Sequence, residues 1–443
     1  MTRLKVKEEG MKKGIRVYNL YPKLVGHMDK WIEHFDRIQT MNFNWIYINP
    51  IHYPGFSGSD YAIKDHYLYH PLYVTGAFDF EAPETHVKKG HELLKKVCNE
   101  AKSRGMNMMM DLLVNHTAFD SPLVKKHPDW YMKNPDGSPK HPGAMDGNTW
   151  VEWKDLAQID NANSSDRENL WKYWLDMVLF YAGLGVRGFR CDAAYHVPSQ
   201  FWRYLIPRVK EQYPDAVFLG ETLGCQPPQV IEVAEAGFDF ISNSFKWWNL
   251  KDNWFLEQNR QYSRRAPSIT FPENHDTLRY AHETNGNQRM AVMKYALGAY
   301  ICSSISITIG FEFGFRRQIH VVHTDPSWWE PKHYDISADI AKINDIKSTY
   351  DILQEDNYID VLPLNDTRLF GFVKESLNGK EKIIVLANPE TNGTHTVRLS
   401  NVYNIMGTTI VRDISPGRKI EKVLDHIEYN LEPGEVKLFY IKR

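Results

Sequence analysis

Eight short runs rich in β-branched and aromatic residues recur along this chain, each separated from the next by a longer stretch. They read IRVYNLYP, FNWIYINP, NMMMDLLVNH, VRGFRCDA, AVFLGET, FDFISNS, SITFPENHD and SISITIGFE. Between them, HMDKWIEHFDRIQTM, HVKKGHELLKKVCNEAKSRG, DRENLWKYWLDMVLFYAGLG and NQRMAVMKYALGAYICSS repeat apolar residues at the three-to-four spacing of a helix with one buried face. Gly105 and Gly183 stand where such helices stop. Strands that alternate with helices pair in parallel, because a parallel neighbour can be reached only by a crossover. Eight such units close into a (β/α)8 TIM barrel of about 250 residues plus insertions. An α/β fold of this kind is expected, with an open doubly wound sheet as the alternative.

Two stretches lie outside that rhythm. Residues 117–161 are rich in Pro, Asp, Gly and Trp and are too long for a plain connection, which predicts a small insertion domain beside the site. After about Tyr350 the texture becomes alternating, as in RLFGFVKES, KEKIIVLANPE, GTHTVRLS and EVKLFYIKR, with Asn-Gly and Pro-Gly turns between runs. The expected organisation is a barrel built from 1–116 and 162–352, an insertion subdomain at 117–161, and a C-terminal antiparallel β-sandwich at 353–443.

Composition narrows the class of partner. The 443 residues carry 53 basic and 55 acidic side chains, a balance that leaves no footprint for nucleic acid or an anionic membrane. No apolar run reaches the roughly 20 residues of a membrane span. The N-terminal MTRLKVKEEGMKKG has no apolar core of a secretory signal. Cys98, Cys191, Cys225 and Cys302 show no paired or metal-like spacing, which predicts free thiols. A cytoplasmic location is the expectation. Aromatic content is 13%, with 13 Trp and 24 Tyr, enough for some rings to serve as flat platforms for a ring-shaped ligand.

In a barrel, residues at the C-terminal strand ends face the active site. That rule gathers Asp111, Asn115 and His116 after the third strand, Arg190, Asp192 and His196 after the fourth, Glu221 after the fifth, and Asn274, His275 and Asp276 after the seventh. Three carboxylates, several histidines and an arginine suit acetal cleavage. Its oxocarbenium-like transition state needs one carboxylate to attack and one protonated carboxyl to give the leaving oxygen its proton. Arg190, two residues before Asp192 and on the same side of the strand, would hold that carboxylate ionised. Glu221 follows the apolar AVFLG, where desolvation raises a carboxyl towards a useful acid.

The stretches DLLVNH, GFRCDAAYH, FLGET and FPENHD, in that order, resemble the four motif regions of the α-amylase superfamily of retaining glycoside hydrolases (family 13). The resemblance covers nearly the whole chain. It implies Asp192 as nucleophile, Glu221 as general acid/base and Asp276 as the third carboxylate. It also implies Arg190 as the group orienting the nucleophile, Asp111 as a support behind the site, and His116 and His275 as hydrogen-bonding partners of the bound sugar. Tyr61, in GSDYAIKDHY, resembles the aromatic platform under that sugar. Tyr195, His196 and Asn274 complete the expected substrate-binding set, with Tyr195 a departure from the lysine that many α-amylases carry there to contact sugars on the leaving side. Asn115 and Asp160 resemble positions that hold a structural calcium ion; no cofactor is implied for the chemistry itself.

The stretches RVYNLYPKLVG, FNWIYINPIHYPGFSGSDYAIKDHY and NSFKWWNL also resemble the maltosyltransferase branch of the same superfamily. Trp247, Trp248, Trp328 and Trp329 fall in expected loops and are candidates for stacking acceptor sugars. The chain is short beside that branch. Hydrolysis of α-1,4-linked glucans is therefore the first expectation, with maltosyl or glucanosyl transfer as the alternative. A non-catalytic glucan-binding protein is a third reading, opposed by the presence of all three carboxylates.

Overall fold

The structure is a computed structural model that describes residues 13–146, 149–263, 265–416, 420–423 and 426–443. The charged stretch at 1–12, read above as lacking a leader, lies outside the described residues, as does Gly417 of one Pro-Gly turn.

All eight expected strands form: β1 (Arg16–Asn19), β2 (Trp45–Ile48), β3 (Asn107–Leu112), β4 (Gly188–Cys191), β5 (Val217–Gly220), β6 (Phe240–Ser242), β7 (Ser268–Thr270) and β8 (Ser304–Thr308). They pair in parallel in chain order, and β8 pairs with β1 to close the ring. The open-sheet alternative is excluded.

Each strand sends alternate residues to two different cores, as a period of two requires. Trp45 and Tyr47 of β2 point into the barrel with Met109, Val217 and Leu219. Ile46 and Ile48 point outward into the helix layer with Trp31, Trp174 and Trp202. Gly188 contributes no side chain because the Trp45 ring fills its place, within 2.7 Å of where a Cβ would stand. Followed two residues further, the inward register changes character. After Trp45 and Tyr47 comes Asn49, after Met109 comes Asp111, after Gly188 comes Arg190, and after Leu219 comes Glu221. The bottom of the barrel is thus oil and its mouth is polar.

One helix detail differs from the sequence expectation. The stretch 28–40 is two helices, Met28–Ile32 and Phe35–Thr40, because a tightened turn at His34 bonds its N–H to the Trp31 carbonyl three residues back. The helix Arg167–Gly183 ends at Gly183 as expected, and the chain then turns at Gly185 (φ +113), where a Cβ would press to 2.8 Å from Cys98. Gly105 (φ +74) takes its expected role after the helix Val87–Ser103.

The insertion carries two short antiparallel ladders, 116–118 with 156–158 and 143–146 with 149–152. The C-terminal region folds a six-stranded and a two-stranded antiparallel sheet around a separate core that includes Ile384, Leu386, Val397 and Phe439. Its Asn-Gly and Pro-Gly turns place Gly379, Gly393 and Gly434 at positive φ. All four cysteines are free. No helix among the described residues is long and apolar enough to cross a membrane.

Candidate active site

Arg190 and Asp111 are register partners on β4 and β3, so their side chains leave the sheet side by side. The Arg190 Nη1 donates to Asp111 Oδ1 at 2.9 Å and to Asp192 Oδ1 at 2.7 Å, while Nη2 stands 3.9 Å from Glu221 Oε2. One buried guanidinium therefore faces three carboxylates. An arginine keeps its charge at any accessible pH, so it sets a fixed positive charge against Asp111 and Asp192.

Glu221 is different. Its Oε2 accepts the Ala193 N–H at 2.8 Å and its Oε1 accepts the Leu223 N–H at 2.7 Å. Burial outweighs these donors and the more distant arginine, with Asp192 adding in the same direction, and pushes Glu221 up to about 7. Two neighbouring carboxyls thus have opposed environments, one in contact with a cation and one desolvated, which is how an acid and a nucleophile are told apart. The backbone between them is strained: Ala193 sits at φ 41, a left-handed conformation that a residue with a Cβ adopts at a cost of about 1 kcal/mol. That twist turns the Ala193 N–H onto Glu221 immediately after Asp192.

On the opposite flank a continuous polar network supports Tyr61. The Tyr61 hydroxyl donates to Asp111 Oδ2 at 2.7 Å, accepts from Asn49 Nδ2 at 2.9 Å, and lies 2.7 Å from His275 Nε2. Its ring stacks on His275 with centroids 5.5 Å apart. Tyr47 gives Asp111 a second hydroxyl at 2.6 Å, and Asn19 donates to Asn49 at 2.8 Å. Burial still holds Asp111 above the usual carboxylate range. His116 Nε2 lies 3.0 Å from the Tyr61 carbonyl, and burial keeps that imidazole below its ordinary value, hence neutral.

The remaining expected residues divide. Asp276 stands exposed on the rim, joined to His275 Nε2 at 3.2 Å, with Gln318 donating to its carbonyl. Asn274 shapes the turn, its Oδ1 accepting the N–H groups of Asp276 and Thr277. Tyr195 is half-buried and packs against the exposed His196, rings 4.4 Å apart. Of the four tryptophans, Trp248 is buried against Phe255 and Phe370 and is no platform. Trp328 lies beneath the Arg317 guanidinium, and Trp329 leans on His34 and Phe315. Trp247 is exposed.

The Asn115 and Asn161 Oδ1 atoms are both buried without a hydrogen-bond partner among the described residues, which suits a hard cation with oxygen ligands. Asp160 commits its Oδ1 to the backbone N–H of Asn163 at 2.8 Å. Among the described residues, no group of three or more His, Cys, Asp or Glu is arranged to hold a metal.

Sequence reasoning missed Asn19, Tyr47, Asn49 and the buried Glu273–Arg279 pair, whose Nη1 to Oε1 contact of 2.7 Å braces the loop after β7. The first three were readable by carrying the inward register of β1 and β2 two residues further. Glu273 gave no such signal, because its partner lies in the loop.

The family model for the glycogen debranching enzyme, glucanotransferase domain, matches residues 11–145. The α-1,4-glucan:maltose-1-phosphate maltosyltransferase of Arcanobacterium haemolyticum is 24% identical, over 90% of this chain and 60% of its own length. That of Chlorobaculum tepidum is 25% identical, over 81% of this chain and 56% of its own. These similarities accord with the resemblance to the α-amylase superfamily that the four motifs carry. The fold of the chain agrees: an α-amylase from Lactobacillus plantarum superposes with a TM-score of 0.76 at 20% identity, covering 96% of this chain and 98% of the other. The chain spans about three fifths of the length of the maltosyltransferases it matches.

Proposed function

We propose that this protein is a retaining α-glucan-active enzyme that transfers α-1,4-linked maltosyl or glucanosyl units. The observation that carries the chemistry is the single guanidinium shared by Asp192 and, at greater distance, a Glu221 raised to about 7. The names of the curated relatives favour transfer over the hydrolysis that the sequence put first. Hydrolysis stays as the second reading, supported by the α-amylase structural neighbours.

In this mechanism the donor sugar stacks on Tyr61 and is gripped by His116, His275 and Asp276. An Asp192 carboxylate oxygen attacks the anomeric carbon from one face. The bond to the leaving oxygen breaks as Glu221 gives it a proton, leaving a glycosyl ester on Asp192 and an ionised Glu221. A sugar hydroxyl then attacks the same carbon, Glu221 takes its proton, and Asp192 departs as carboxylate. Two inversions give net retention. A calcium ion held by the Asn115 amide oxygen, with Asp160 and Asn161 beside it, would brace the insertion against the barrel and take no part in bond making.

Product analysis on maltoheptaose, with and without maltose-1-phosphate, tests this reading. Longer oligosaccharides, with phosphate released when the phosphorylated donor is present, are expected. Shorter sugars alone would move the enzyme to the hydrolases, and no new sugar at all would leave a glucan-binding protein.

A further inference from the structure

We infer that Trp247 is a built platform for the pyranose ring of the acceptor α-glucan. The inference rests on the glucan-active reading above and goes further, assigning the acceptor side to one residue.

Trp247 ends a short turn, Phe245–Trp247, that follows β6. Within this turn adjacent aromatic residues have opposite fates. Phe245 and Trp248 are buried, whereas Trp247 between them is 51% exposed. Exposing an indole while burying both neighbours forgoes apolar burial, so the conformation must be held by something else. The holder is Lys294, itself buried, whose ammonium donates to the carbonyls of Phe245 at 3.0 Å and Trp248 at 3.2 Å. These two carbonyls bracket Trp247. Burying an ammonium is expensive, and here it fixes the turn from below. The Phe271 ring meets the indole nearly at right angles, 88° at 6.0 Å, and supports it from the side.

The position gives the platform its role. β6 lies between β5, which delivers Glu221, and β7, which leads to Asp276. Tyr61 follows β2, four strands round a ring of eight, and its side chain reaches across the mouth to stack on His275 after β7. A sugar chain that rests one ring on Tyr61 and runs past Glu221 emerges on the Trp247 side. That side receives the leaving group in the first half-reaction and the acceptor in the second. A flat, rigid aromatic face with its edge supported is the surface that stacks on the apolar face of a pyranose.

The test uses the full chain, with α-maltosyl fluoride as donor and maltoheptaose as acceptor. For W247A the acceptor concentration giving half-maximal transfer should rise about tenfold, the factor that about 1.4 kcal/mol of lost stacking predicts. Fluoride release without acceptor should stay within about twofold, because that step does not use the platform. W247F should recover most of the lost affinity. An unchanged acceptor dependence would overturn the inference, as would a parallel fall in both measurements. If the wild type neither transfers nor hydrolyses, the catalytic reading fails by itself. Trp247 is then judged by calorimetry of maltoheptaose binding, where weaker binding to W247A upholds the platform and equal binding overturns it.

Discussion

The two sides of the barrel mouth are built on different principles. On the Tyr61 side every polar group leans on another: Asn19 on Asn49, Asn49 and His275 on Tyr61, Tyr61 and Tyr47 on Asp111, and Asp111 on Arg190. On the Glu221 side the mouth is more open, with a half-buried Tyr195, an exposed His196 and an exposed Trp247. The difference teaches how one site combines precision with tolerance. A donor sugar must be held rigidly for attack at its anomeric carbon, because misplacement costs rate steeply. In the proposed mechanism the departing and arriving groups differ from one turnover to the next, and their side offers them a stacking face and a single acid.

That contrast can be broken at its centre. Replacing Asp192 by Asn removes the proposed nucleophile while leaving Arg190 in place, and kcat should fall by about four orders of magnitude with the fold intact. Circular dichroism and donor turnover check both halves of the statement. One step out, Asp111→Asn strips the network of the charge that Tyr47, Tyr61 and Arg190 share. A loss of roughly 100-fold in kcat is expected, since Arg190 is then free to turn towards Glu221 and Tyr61 loses its acceptor.

The histidines sharpen the comparison directly. His275→Ala removes a ring stacked on Tyr61 and should cost about 100-fold in kcat/KM, whereas His196→Ala, on the open side, should cost less than about threefold. Equal effects would erase the asymmetry between the sides.

Much of this was legible in the chain, and the reasons are particular. All eight barrel strands announced themselves because β-branched and aromatic runs end in charged or amide residues, as in NMMMDLLVNH and AVFLGET. Arg190 and Asp192 could be placed on one face by their spacing. Asn19, Tyr47 and Asn49 could be placed at the mouth by the inward register, but their convergence on Asp111, direct for Tyr47 and through Tyr61 for Asn49, could not, since it depends on the closed order of the strands. Trp247 and Trp248 are adjacent in sequence and indistinguishable by type; only Lys294, 46 or more residues away, decides which one faces water. The tightened turn at His34 and the left-handed turn at Gly185 are set by tertiary packing.

The smallest expected effect concerns pH. With Glu221 raised from 4.5 to about 7, transfer should decline as pH rises through about 7 and the acid ionises. The same shift bears on stability. Between those two values the folded state binds a proton that the unfolded chain has released, so Glu221 stabilises the fold below about 4.5 and that contribution is lost as pH rises through about 7. Glu221→Gln should therefore raise the melting temperature at pH 8 relative to the wild type, by the few degrees that about 1 kcal/mol gives a chain of this size. A lower melting temperature would mean that the carboxylate is stabilised rather than strained at that pH.

A slowly released fluorinated maltosyl fluoride, followed by digestion and mass spectrometry, reads the central step most directly. Accumulation of one maltosyl unit as an ester on the peptide containing Asp192, retained in the wild type and absent in D192N, is the expected result. A label on another carboxylate, or turnover with inversion and no trapped sugar, would contradict Asp192 as the nucleophile held by Arg190.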